Sequence, residues 1–166
     1  MVTSLLTRMD RWFSAHRPDY YAQLNSGADA EQLRLFESRF SITLPADLCQ
    51  LYRWRNGQSA ACSESFQGNR LFCSLEEIAE AKDLLDGMIA SDFEDPRYWR
   101  RGWIPFLHNG GGSYLCVDLV AQDSGAPGQL IEFWKTDDDR PVKFQSIEAW
   151  LDEFVRSMES GTLRLS

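Results

Sequence analysis

The stretch Trp103-Ile-Pro-Phe-Leu-His-Asn-Gly-Gly-Gly-Ser-Tyr-Leu-Cys-Val-Asp-Leu119 decides how the rest of the chain is read. Two short apolar runs flank Asn109-Gly-Gly-Gly112. In the second run Tyr114, Cys116 and Asp118 alternate with Leu115, Val117 and Leu119, the two-residue period of a strand. Three readings are open: a hairpin, a phosphate-cradling loop, or an active site built on Asp118. The glycine run lacks both the GxGxxG spacing and the Gly-Lys-Ser/Thr of a P-loop. A strand follows it, with no helix N-terminus to hold a phosphate. The spacing predicts a hairpin turn that uses positive φ at Gly110, Gly111 and Gly112.

Cys116, His108 and Asp118 are the residue types of a nucleophile, a base and an orienting carboxylate, as a hydrolase would need. The chain has only two histidines, however, and Cys116 sits mid-strand, where cysteine acts as a small hydrophobe. Asp118 is therefore read as a structural carboxylate capping the loop after its strand, and no catalytic residue is assigned. His16 and His108 have no second histidine or cysteine at ligand spacing. Asp137-Asp-Asp139 lacks the glycine and terminal glutamate of an EF-hand. No metal or cofactor is implied.

Upstream of the hairpin the pattern is helical. Leu5, Met9, Trp12, Phe13 and His16 share one face of a first helix, which Arg17-Pro18 ends. A connector follows over 19–28. Asp29 with Gln32 forms a capping box for a helix burying Leu33, Phe36 and Phe40. Pro45 opens a third helix, Leu48, Leu51 and Tyr52 face inward, and Asn56-Gly57 supplies a left-handed stop. Residues 58–69, polar around Phe66, read as a surface loop. A short strand over 71–73 precedes the capping box Ser74-Leu-Glu-Glu77, with Ile78, Ala81, Leu85 and Met88 on the buried face of the next helix. Residues 91–102 read as irregular.

Downstream, strands are expected over 129–135 and 142–144, joined by polar turns. Ser146 then caps a closing helix whose Ile147, Trp150, Leu151, Phe154, Val155 and Met158 form the clearest amphipathic stripe in the chain. No helix separates the strands after Trp103, so they pair antiparallel. The class is α+β, one antiparallel sheet flanked by helices. The division is an N-terminal helix and connector (1–24) packed on a domain over 25–160.

The 166 residues, 43% hydrophobic and 13% aromatic, support a real core. A net charge of −8 argues against a nucleic-acid ligand or an anionic membrane surface, and suits a basic protein partner. There is neither an apolar run long enough for a membrane span nor a signal peptide. Four scattered cysteines without a CxxC pair read as reduced thiols, which places the chain in the cytoplasm. Of the six tryptophans, Trp12 and Trp150 lie on core stripes. Trp54 falls off its helix's inward stripe, and Trp99 sits in the irregular segment beside Tyr98. Trp54, Phe66 with its 58–69 loop, Tyr98 and Trp99 are the candidate partner-binding residues, because surface aromatics and arginines are typical interface anchors.

The motifs taken together resemble one family. Ala28-Asp-Ala-Glu-Gln-Leu-Arg-Leu-Phe-Glu37, Leu44-Pro-Ala-Asp-Leu-Cys-Gln-Leu-Tyr52 and Asn56-Gly-Gln58 are similar to the N-terminal signature of the SUKH superfamily. The branch is the one named after the yeast Smi/Knr cell-wall assembly regulator. Trp103-Ile-Pro-Phe106, Gly110-Gly-Gly-Ser-Tyr-Leu-Cys-Val-Asp118, Gly128-Gln-Leu-Ile131 and Ser146-Ile-Glu-Ala-Trp-Leu151 continue the pattern over about residues 25–160. The resemblance implies a single α+β domain without catalytic activity. Its bacterial members are immunity proteins that neutralise toxins, often nucleases, and its fungal members regulate cell-wall synthesis and signalling. The leading expectation is an immunity protein that binds a cognate toxin, with a regulatory scaffold as the alternative. The arginine-rich 97–101 segment has no counterpart among these motifs.

Overall fold

The computed structural model describes residues 1–89, 91, 97–121 and 125–165. Parts of the segments expected to be irregular (91–102) and looped (121–128) lie outside the described residues. Four helices come first: α1 (Val2–His16), α2 (Pro18–Tyr21), α3 (Ala30–Phe40) and α4 (Ala46–Trp54). Strand β1 (Leu71–Phe72) and helix α5 (Leu75–Met88) lead into β2 (Trp103–His108), β3 (Tyr114–Asp118), β4 (Gln129–Phe133) and β5 (Val142–Phe144). Helix α6 (Ile147–Ser160) closes the chain. The five strands form one antiparallel meander in the order β1-β2-β3-β4-β5. The mixed α+β class is that read from the sequence.

The caps explain where the helices begin. Asp29 accepts from the Gln32 amide while the Gln32 side chain accepts from Asp29 N–H, and Ser74 and Glu77 do the same for α5. Ser146 accepts from Ala149 N–H, and Gly161, at φ 76°, ends α6 in the left-handed conformation. Pro45 stands at the N-cap of α4 rather than inside it, and α4 ends on Arg55 in an extended conformation, not on the expected left-handed stop. Gly57 does have positive φ, and a Cβ there would lie 2.3 Å from Ser74 N. Asn56 instead uses its side chain: Oδ1 accepts from Leu75 N–H and so supports the start of α5.

One face of the sheet presents Ile104, Phe106, Leu107, Leu115, Val117 and Leu130 to the main core, which α1, α3, α4 and α6 complete. All six residues of the expected α6 stripe are buried there, Trp150 among them. Trp12 is only half-buried at the rim, and His16 is exposed, stacked on Trp12 at 4.9 Å. The other face carries a smaller cluster of Trp99, Trp103, Cys116, Ile131 and Phe133, with Leu85 and Ile89 packed against it.

Three expectations need correction. The 58–69 segment is not a surface loop around an exposed Phe66. Phe66 is fully buried and touches Phe72 at 4.7 Å, Phe154 at 5.0 Å and Phe13 at 5.5 Å between ring centres. The segment is short on apolar residues because one large ring plugs it into the core while the buried Gln58 side chain satisfies its backbone. Trp99 is also buried, its indole N–H donating to Asp86 at 2.7 Å and its ring edge-on to Trp103 and Phe133. Helix α5 buries Leu75, Ile78, Ala79, Lys82 and Asp86, not the stripe through Ala81 and Met88. Lys82 and Asp86 lie one turn apart with Nζ 3.2 Å from Oδ2, and Lys82 also donates to the carbonyls of Arg101 and Trp103. A charged pair that satisfies itself and two backbone carbonyls can occupy a core face, and a hydrophobicity pattern does not see it.

Because Phe66 is the central ring of the main core, Phe66→Ala is expected to cost about 3–5 kcal/mol, a large share of a typical domain's stability. Denaturant unfolding monitored by circular dichroism checks this. A loss below about 1 kcal/mol, the range of surface substitutions, would contradict the packing described.

Candidate functional site

The hairpin comes first, since it carries the nucleophile, base and carboxylate types. Across β2 and β3, His108 pairs with Tyr114, Pro105 with Cys116 and Trp103 with Asp118. At roughly 3.4 Å per residue, the His108 and Asp118 ends are about 14 Å apart along the strand. Asp118 Oδ1 accepts from Val120 N–H (3.1 Å) and Ala121 N–H (3.0 Å), and Oδ2 accepts from the Gln129 side chain (3.2 Å). It caps the loop after its strand. Cys116 is fully buried, and burial pushes its thiol well above the usual range, opposed in part by Lys82. A thiol so held is protonated and inert. The three groups do not form a nucleophilic site.

The glycine turn is equally occupied. Asn109 Oδ1 accepts from Gly111 N–H (2.8 Å) and Ser113 N–H (3.1 Å), and His108 Nδ1 accepts from Gly110 N–H (3.0 Å). Gly110 and Gly112 have φ of 80° and 91°, as a tight turn requires. The amides that would cradle a phosphate are spent on the loop's own side chains. Burial lowers the His108 pKa, with Glu77 (3.9 Å away) opposing the shift.

Of the four candidate partner-binding residues, Phe66 and Trp99 are core. Tyr98 remains half-buried beside a cleft of about 420 Å³ that Arg97, Arg100, Asp138, Asp139 and Arg140 also line. Its hydroxyl donates to the Lys135 carbonyl, and the Arg140 guanidinium donates to the Tyr98 carbonyl while lying 4.9 Å from its ring centre.

Trp54 lies elsewhere, at the C-terminal end of α4, in a broad concavity. This groove of about 590 Å³ runs between α1 and α4. The Trp54 indole N–H donates to Asp10 Oδ1 at 2.8 Å, and the Tyr21 hydroxyl donates to the same oxygen at 2.8 Å. Arg55 then donates to Tyr21 Oη at 2.7 Å, lies 3.6 Å from Asp10, and stacks its guanidinium over both rings at 5.1 and 5.5 Å. The network locks the aromatic wall of the groove. Arg11 and Arg53 line it as well and are exposed. A second concavity of about 520 Å³ shares Tyr21 and Arg55 and extends toward Leu24 and Gly27. Trp54 was legible as a misfit on its helix; Asp10, Arg11 and Tyr21 were not, because only the packing of α1 and α2 on α4 brings them to it.

The sequence pattern of the SMI1 / KNR4 family (SUKH-1) matches residues 27–153. The chain belongs to this family. It is similar to a glucan synthesis regulatory protein of Neurospora crassa, 24% identical over 206 residues covering 96% of this chain and 39% of the relative. It is also similar to the cell wall biosynthesis/cell cycle regulator smi1 of Schizosaccharomyces pombe, 26% identical over 93% of this chain and 35% of that protein. A KNR4/SMI1 homolog 2 of Debaryomyces hansenii is 33% identical over a shorter span, 42% of this chain and 12% of the relative. The chain thus spans well under half the length of these relatives. Helix α1, which walls the groove, precedes the family match yet shares the main core. No helix among the described residues is long and apolar enough to cross a membrane.

Because folding lowers the His108 pKa below 6.5, the unfolded chain takes up a proton at that site before the folded one does. Stability is therefore lost as pH falls from 6.5 toward the folded value and regained as pH rises. His108→Gln is expected to remove that acid-side loss, so that wild type gains on the variant as pH rises through this range. Urea unfolding at a series of pH values checks this. A difference that shrinks as pH rises would contradict it.

Proposed function

We infer that this chain is a non-enzymatic protein-binding domain that works as a regulatory scaffold in the cytoplasm, in the manner named for its N. crassa and S. pombe relatives. The observation that carries the reading is the family match over 27–153, together with the regulatory names of two relatives that align with nearly the whole chain. The chemistry is consistent with binding. The thiol and carboxylate of the hairpin are consumed by the fold, whereas the α1–α4 groove and the Tyr98 cleft offer half-buried aromatics edged by arginines, the residue types that anchor interfaces. Trp54 and Tyr98 are the binding residues of this proposal, and Phe66 and Trp99 support them from the core.

A second reading, toxin immunity, draws on the charge distribution. Residues 71–166 hold eighteen acidic against nine basic side chains, a field that would steer a basic nuclease toward them. The two readings part in one experiment. The tagged full chain, expressed in its own cell with no toxin present, is expected to capture host proteins of wall synthesis or signalling. If it captures none, and instead rescues growth against a toxin encoded beside it, the scaffold reading fails and the immunity reading replaces it.

A further inference from the structure

The charge of this protein is unevenly placed. Residues 1–70 carry eight arginines against seven acidic residues, whereas the remainder carries the acidic excess. Within that near-neutral part, the α1–α4 groove concentrates positive charge: Arg11, Arg53 and Arg55 line it against a single carboxylate, Asp10. Asp10 is already engaged, by the Trp54 indole, the Tyr21 hydroxyl and Arg55. Among the described residues, the side chains of Arg11 and Arg53 make no hydrogen bond or ion pair, so two full positive charges stand at the rim of an aromatic slot in a molecule of net charge −8.

We propose that the α1–α4 groove is the docking site for an acidic segment of a protein partner, seated along Trp54 and Tyr21 with its carboxylates facing Arg11 and Arg53. This deepens the scaffold reading above and rests on it. Three observations fix the class of occupant. The charge of the groove calls for an anion, and arginine offers a carboxylate two parallel donors. The Trp54, Tyr21 and Arg55 wall is held rigid by the Asp10 network, so little side-chain entropy is lost on binding. A second concavity borders the same Tyr21–Arg55 stack, and two adjoining hollows suit an extended chain better than a compact ion. A planar anionic membrane fits poorly, because a flat surface would lie across the adjoining helix α6 with its Glu148, Asp152, Glu153 and Glu159, only partly offset by the N-terminus, Arg156 and Arg8, whereas an extended segment stays within the groove. A nucleic acid would meet the same acidic surroundings.

The test uses the 15N-labelled full chain and two short synthetic peptides, one rich in Asp and Glu with a single Leu, the other its Asn/Gln counterpart. The acidic peptide is expected to shift the Arg11, Gln50 and Arg53 amides and the Trp54 indole resonance, and to weaken steeply with added salt. The Arg11→Glu/Arg53→Glu variant, changed only at exposed positions, should bind it about ten-fold more weakly with its own spectrum otherwise preserved. The milder Arg11→Gln/Arg53→Gln variant should fall between them. Equal binding of the two peptides, shifts confined to other faces, or an unaffected double variant would overturn the proposal. So would tighter binding to phosphatidylserine vesicles or to single-stranded DNA than to the acidic peptide. In the capture experiment the failures separate: host partners retained equally by wild type and by Arg11→Glu/Arg53→Glu remove the groove and leave the scaffold role, whereas no capture by wild type removes the role itself.

Discussion

One buried amide ties helix α2 to the first strand of the sheet. Gln58, 3% exposed, accepts at Oε1 from the Tyr20 hydroxyl (2.7 Å) and from Phe72 N–H (2.9 Å), and donates from Nε2 to the carbonyls of Cys62 (3.1 Å) and Glu64 (2.9 Å). A single side chain thus ties α2, the 58–70 segment and β1 into one unit, with every polar atom satisfied. That satisfaction is what makes a buried amide tolerable. Asn25 adds bonds to the carbonyls of Asn56 and Gln58 alongside it. Phe66 can fill the centre of the core only because Gln58 supplies the carbonyls around it with partners.

The same knot sets the groove. Tyr20 and Tyr21 are neighbours on α2: the first points inward to Gln58, the second outward to Asp10 and Arg55. Fixing one fixes the other, and so the placement of the Trp54 wall depends on a hydrogen bond in the core. On the opposite side of the sheet the Lys82–Asp86 pair does comparable work. Through the Trp99 indole and the carbonyls of Arg101 and Trp103, it moors the approach to β2 against α5. Burial lowers the Lys82 pKa, while Asp86 and its hydrogen bond work to keep the ammonium charged.

The hairpin and α6 were legible because their signals are local: period-two alternation, a glycine turn, and six apolar residues at helical spacing. Asp118 Oδ1 accepts from two amides of the loop that follows its strand, a local side-chain-to-backbone contact of the kind a short carboxylate makes. What the sequence hid was non-local. Phe66 lies in a polar stretch whose burial depends on Gln58, thirty-eight residues from its Tyr20 partner. Lys82 and Asp86 look like solvent residues until their partners across the chain are known. The groove pairs Asp10 of α1 with Trp54 of α4, forty-four positions apart, and no window along the sequence contains both.

The proposed docking surface lies at the helical end of the molecule, where rigid aromatics meet unneutralised arginines, and away from the hairpin. A photoreactive residue at position 50, on the groove wall, and another at position 143, on the exposed edge strand β5, would compare the two surfaces directly in the native cell. Cross-linking of a protein partner from position 50, with little or none from position 143, is the result this account predicts. Adducts that form from position 143 alone would contradict it.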